Sequence, residues 1–113
     1  MGWAEPSKVD LDRFNDSPGI CAILRAETRP GLDDVFESLL RDFASEVRGA
    51  EDGCGSYVVT RMIGTRTHFA VHAQFTNMEA FERHADTLHM QRAMPRINSL
   101  LATPISMEIF FAV

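Results

Sequence analysis

Lysine is nearly absent from this chain: of its eleven basic residues, ten are arginine and only Lys8 is lysine. Acidic residues outnumber basic ones, 16 to 11, for a formal net charge of −5. That balance argues against nucleic acid as a partner, because phosphate binding needs a basic surface. Cysteine is scarce as well. Cys21 and Cys54 stand alone, with no C-x-x-C between them. They build no disulfide framework and read as buried or turn thiols. No apolar run approaches the ~18 residues of a membrane span. The opening MGWAEPSKVDLDRFNDSPG has no apolar core, which argues against a secretory signal and for a cytoplasmic protein. Glycine-rich phosphate loops and the G-x-S-x-G elbow are missing, so no nucleotide, nicotinamide or flavin site is expected. Internal repeats and low-complexity tracts are absent too.

The 113 residues are 45% hydrophobic and 24% charged. This suits one domain with a real core. Residues 1–18, with Pro6 and Pro18, are polar and irregular and read as an extension outside the core. The domain then covers 19–113. Gly19 to Thr28 reads as a largely buried strand. Arg29-Pro30-Gly31 is a turn, and Asp33 and Asp34 fall where a helix N-terminus favours anions. Val35, Phe36, Leu39, Leu40, Phe43 and Val47 follow an amphipathic helical spacing, with Gly49 as its expected stop.

Ala50 to Gly55 is a turn, and Ser56 to Met62 is rich in β-formers. A hairpin at Gly64-Thr65 returns through Thr67 to Phe75. Thr76 and Glu79 form a T-x-x-E capping box for a helix over about Asn77 to Asp86. A second helical stretch covers about Leu88 to Leu101, and Pro95 should kink it or start a new turn. Ile105, Met107, Ile109, Phe111 and Val113 alternate as a last strand. The order β-α-β-β-α(α)-β predicts an α+β, ferredoxin-like sandwich with a four-stranded antiparallel sheet and helices on one face. Ile23, Val58 and Phe110 would make the other face apolar, which predicts a homodimer.

The chemistry concentrates in FAVHAQFTNMEAFERHADTLHM. His84 and His89 lie about 140° apart on a continuous helix, so they are no i, i+4 zinc pair. A break near Thr87-Leu88 would let both rings face one pocket. There a neutral imidazole can exchange a proton near neutral pH. His68 and His72 share a strand face but sit ~13 Å apart, so one of them at most lines a pocket. No carboxylate pair is spaced to complete a metal site, so no metal is expected. Tyr57 and Arg61 share a strand face, and Tyr57 suits hydrogen bonding to a substrate oxygen. Phe75, Phe81, Met90 and Met94 suit either a pocket for an aromatic ligand or plain core.

The pieces AETRPGLDDVFESLL, EDGCGSY, FAVHAQFTNMEAFERHADTLHM and LLATPISMEIF occur in the order seen in the antibiotic biosynthesis monooxygenase (ABM) family, which the chain resembles from about Ile20 to Phe111. The resemblance implies a dimeric α/β barrel of ferredoxin-like subunits, with a pocket between helices and sheet. It implies oxidation of a small quinol or polyphenol by dioxygen, with no cofactor. His84 and His89 would then be catalytic. Tyr57, Arg61, His72, Phe75, Met90 and Met94 would bind substrate. Leu24, Phe75 and Met94 stand where the haem-degrading branch has asparagine, tryptophan and histidine, so haem is not expected. An isomerase branch has similar paired histidines, and on that reading Arg61 or Arg25 would hold a phosphate. A non-enzymatic ligand-binding or stress-response dimer is the third reading.

Overall fold

A computed structural model describes residues 19–113. The expected extension over residues 1–18 lies outside the described residues. The elements are β1 (Ile20–Glu27), α1 (Asp33–Ala50), β2 (Cys54–Arg61), β3 (His68–Phe75), α2 (Met78–Ala85), α3 (Leu88–Ser99) and β4 (Ser106–Phe111). The strands form one antiparallel sheet in the order β2-β3-β1-β4. Helix α1 connects β1 to β2, and the α2–α3 pair connects β3 to β4. This is the expected ferredoxin-like fold.

Side chains alternate across a strand, so register assigns the faces. Tyr57 pairs with Ala73, Ala73 with Ala22, and Ala22 with Ile109. The next row up is Val59, Val71, Leu24 and Met107. These rows face the helices. Helix α1 closes most of that face with Phe36, Leu39, Leu40, Phe43, Ala44 and Val47, all buried. Phe36 meets Phe69 edge-on with ring centroids 5.0 Å apart. Burying one such side chain contributes about 2–3 kcal/mol. Val35, expected on the same stripe, is instead 56% exposed.

Three boundaries differ from expectation. Helix α1 runs through Gly49 to Ala50, and Glu51 is its C-cap, donating its backbone N–H to the Val47 carbonyl at 3.0 Å. Asn77, not Thr76, caps α2: its Oδ1 accepts the Ala80 N–H at 2.9 Å. Helix α3 runs through Pro95 without starting a new turn there. Proline costs it one hydrogen bond, and buried Ala93 and Ile97 on either side hold the helix to the core.

On the opposite face Cys21 pairs with Phe110, and Ile23 and Val58 both pair with His72. Val58 and Phe110 are each 51% exposed. His72, Gln74, Arg25 and Glu108 are exposed on the same face, so it is mixed rather than uniformly apolar. No helix among the described residues is long and apolar enough to cross a membrane.

Candidate active site

Two alanines open the site. Ala22 and Ala73 are neighbours on the two central strands, and their short side chains leave space under α2 and α3. The result is a cavity of about 390 Å³. Phe75, Phe81, Met90 and Met94 line it, with Tyr57 and His84 as its polar groups. Apolar walls with few polar groups suit a small aromatic ligand.

The histidines reach each other through the joint between α2 and α3. Thr87 accepts the Met90 N–H at its Oγ1, capping α3, and donates the same hydroxyl to the His84 carbonyl at 2.9 Å. This one residue closes α2 and starts α3, so the two helices do not share one axis and the 140° separation does not apply. Both rings then turn toward Glu51. His84 Nδ1 lies 2.9 Å from each carboxylate oxygen, and His89 Nε2 makes a close hydrogen bond to Oε2. All three side chains are 12% exposed or less.

Phe43 packs against both imidazoles, with ring centroids 6.1 Å from His84 and 5.7 Å from His89. His84 also touches Phe75 at 5.2 Å and Tyr57 at 5.8 Å. With Nδ1 directed at the carboxylate, His84 has Nε2 left for the cavity it lines. A carboxylate on one ring nitrogen selects the tautomer and fixes the ring plane. His89 is not among the cavity-lining residues; it bonds Glu51 Oε2, an oxygen that His84 also contacts.

Glu51 is the member of this cluster that sequence reasoning missed. It lies 33 residues before His84 and 38 before His89, in a segment read only as a turn. One signal was available: a carboxylate just past a helix end, where the dipole disfavours an anion, needs a compensating partner. Its placement depends on Gly53. A Cβ there would lie 2.6 Å from the Ala80 Cβ, so only glycine lets the turn carrying Glu51 close against α2. Glu51, His84 and His89 bring three ligand atoms within 4.8 Å of one another, a grouping of one carboxylate with two histidines that the search for a carboxylate pair passed over.

Tyr57 is buried and its phenol is pushed up, first by burial, then by the charges of Cys54 and Glu51. It stays protonated and remains a hydrogen-bond donor. Burial also pushes up the Cys54 thiol, helped by Glu51, and its Sγ donates to the Ser56 carbonyl. A protonated thiol is a poor nucleophile.

Two expected substrate contacts lie elsewhere. His72 is exposed on the opposite sheet face, because the alternation that puts Ala73 and Val71 toward the helices turns it away. Arg61 shares the helix-side face with Tyr57 but sits at the other end of β2. There it binds Asp33 at 2.8 Å and Glu37 at 3.0 Å, and stacks on the Phe69 ring. Arg25 is paired with Glu108. No arginine lines the cavity among the described residues.

The sequence profile described as antibiotic biosynthesis monooxygenase matches residues 19–96. No curated protein sequence matches the chain. Among solved structures, a candidate antibiotic biosynthesis monooxygenase of Caulobacter crescentus CB15 aligns at 22% identity and TM-score 0.83, covering 95% of this chain and 99% of that one. The Pseudomonas aeruginosa protein PA3566 aligns at 25% identity and TM-score 0.78, covering 86% of this chain and 96% of its own. The Mycobacterium tuberculosis protein Rv0793 aligns at 21% identity and TM-score 0.77, covering 84% and 95%.

Proposed function

The chain belongs to the antibiotic biosynthesis monooxygenase family, and on that premise we propose that it oxidises a small quinol or polyphenolic aromatic with dioxygen, using no cofactor. The observation that carries this reading is His84, which lines an apolar cavity while Glu51 holds its Nδ1. His84 Nε2 takes a proton from the substrate, and the Tyr57 hydroxyl donates a hydrogen bond to the substrate oxygen as negative charge develops on it. Phe75, Met90 and Met94 hold the ring and keep water out. His89 acts through Glu51 and is a positioning residue.

The electron-rich anion is itself the reductant. It passes one electron to dioxygen, and the two radicals combine as a peroxide anion on a ring carbon, which takes the proton back from His84 to become a hydroperoxide. Loss of water leaves a carbonyl. For an anthrone-like CH2 the balance is CH2 + O2 → C=O + H2O, with all four electrons taken from the substrate. The chain's own tasks are proton removal, orientation and dryness. Two copies packed through Ile23, Val58 and Phe110 would cover the apolar side chains of the outer sheet face and form the family's homodimer.

The phosphate-handling isomerase reading loses support, since Arg25 and Arg61 are both engaged by carboxylates outside the cavity. The test is oxygen uptake with a panel of naphthoquinols and anthrones, corrected for autoxidation. Uptake by the wild type that collapses in His84→Ala is expected. Equal uptake by the two proteins would sink the assignment of His84, and no protein-dependent uptake on any of the panel would sink the oxygenase reading for these substrates.

A further inference from the structure

We infer that Glu51, His84 and His89 form a binding site for one divalent transition-metal ion of the zinc or iron(II) class, and that its occupant switches His84 from proton acceptor to donor toward the cavity. The second half rests on the monooxygenase reading; the first does not.

Two imidazoles and one carboxylate are a donor set for zinc or iron(II) rather than for magnesium or calcium, which prefer oxygen throughout. The three side chains offer His84 Nδ1, His89 Nε2 and a Glu51 oxygen, all within 4.8 Å of one another. Tetrahedral ligands at zinc distances stand ~3.4 Å apart. His84 Nδ1 and the Glu51 oxygens are 2.9 Å apart, so this edge must open by about half an ångström, and the closer His89–Glu51 contact by more. The set is also built in advance. Thr87 fixes both helix ends, Phe43 packs on both rings, and all three side chains are nearly buried. A second, more polar cleft approaches Glu51 from outside, lined by Asp52, Arg83, Asp86 and Thr87 among others. Arg83 there pairs with Glu79. An ion arriving by that route meets carboxylates first and need not cross the apolar cavity.

The consequence follows from imidazole chemistry. A neutral ring carries one N–H. While Glu51 accepts from Nδ1–H, Nε2 is an acceptor facing the cavity. A metal on Nδ1 requires the lone pair there, so the proton moves to Nε2. The cavity then faces a donor. Metal occupancy and proton abstraction by His84 therefore exclude each other.

Titration of the full-length protein with Co2+ in the absence of any aromatic substrate tests the site. The expected result is visible d–d absorption saturating at one ion per chain and bleached by Zn2+. Glu51→Gln and His89→Gln should each weaken binding by at least about 10-fold. His72→Gln, on the exposed sheet face, should leave it unchanged, and circular dichroism checks that each variant is folded. Absence of a saturable band at millimolar Co2+, or equal binding by folded wild type, Glu51→Gln and His89→Gln, overturns the site. In a second arm, Zn2+ at saturating occupancy should abolish quinol-dependent oxygen uptake, and uptake that persists overturns the switch. Co2+ binding by a protein with no oxygenase activity would leave the site standing and remove the function assigned to His84.

Discussion

A carboxylate with little solvent access stands at each end of helix α1, Asp33 at its start and Glu51 at its C-cap, and the two have opposite kinds of partner. At the N-terminus Asp33 is 5% exposed and held by Arg61 at 2.8 Å and Arg66 at 3.1 Å. Its partners are permanent cations, and the helix dipole favours an anion there. At the C-terminus Glu51 sits where the dipole disfavours an anion, and its partners are two histidines. An arginine cannot give up its proton at working pH, so the first cluster is a closed structural clamp. A histidine can, and one of the two lines an apolar cavity. On the proposed function, stability and chemistry occupy opposite ends of one helix, and partner type decides which is which.

Substitutions that separate the two ends put this contrast at risk. The largest effect is expected from His84→Ala, which should lower quinol-dependent oxygen uptake by about 10²- to 10⁴-fold while leaving the circular dichroism spectrum intact. Glu51→Gln should lower the same rate by roughly 10- to 100-fold, mostly in kcat, because the amide holds the His84 tautomer poorly. Tyr57→Phe should cost about 10-fold, the worth of one neutral hydrogen bond. At neutral pH Asp33→Asn should leave activity unchanged and reduce urea stability instead. A loss of activity there comparable to that of Glu51→Gln would erase the contrast.

The clamp also has a pH signature. Hydrogen bonding from Arg61 holds the Asp33 carboxyl below its ordinary 3.8, against the opposing effect of burial. A depressed folded-state value means that its stabilisation is complete above the unfolded value and fades as pH falls through the folded one. The stability difference between wild type and Asp33→Asn should therefore be constant above about pH 5 and shrink below about pH 4. Paired urea titrations at stepped pH would measure it. A difference that persists undiminished at pH 2 would contradict the assignment.

Much of the fold was legible because its cues are local. The two-residue alternation of β3 assigned Phe69, Val71, Ala73 and Phe75 to one face, and the spacing of Phe36, Leu40, Phe43 and Val47 assigned α1 its buried stripe. The misplaced boundaries were local competitions decided by packing. Asn77 outcompeted Thr76 as a cap, and the helix continues through exposed Pro95 with Ala93 and Ile97 buried on either side. His72 was read as a pocket residue, although the same alternation that placed Ala73 turns it to the other face.

The sequence by itself determined the element order, the apolar faces and the residue types available for chemistry, since helix and strand periodicities are properties of short segments. Only tertiary structure decided that Glu51 would stand between His84 and His89. That meeting depends on the end of α1, the Gly53 turn and the Thr87 joint converging from three parts of the chain. Their distances in space are set by how helices pack on the sheet, which no local pattern encodes. The same packing carried Arg61 away from the cavity and bound it to Asp33.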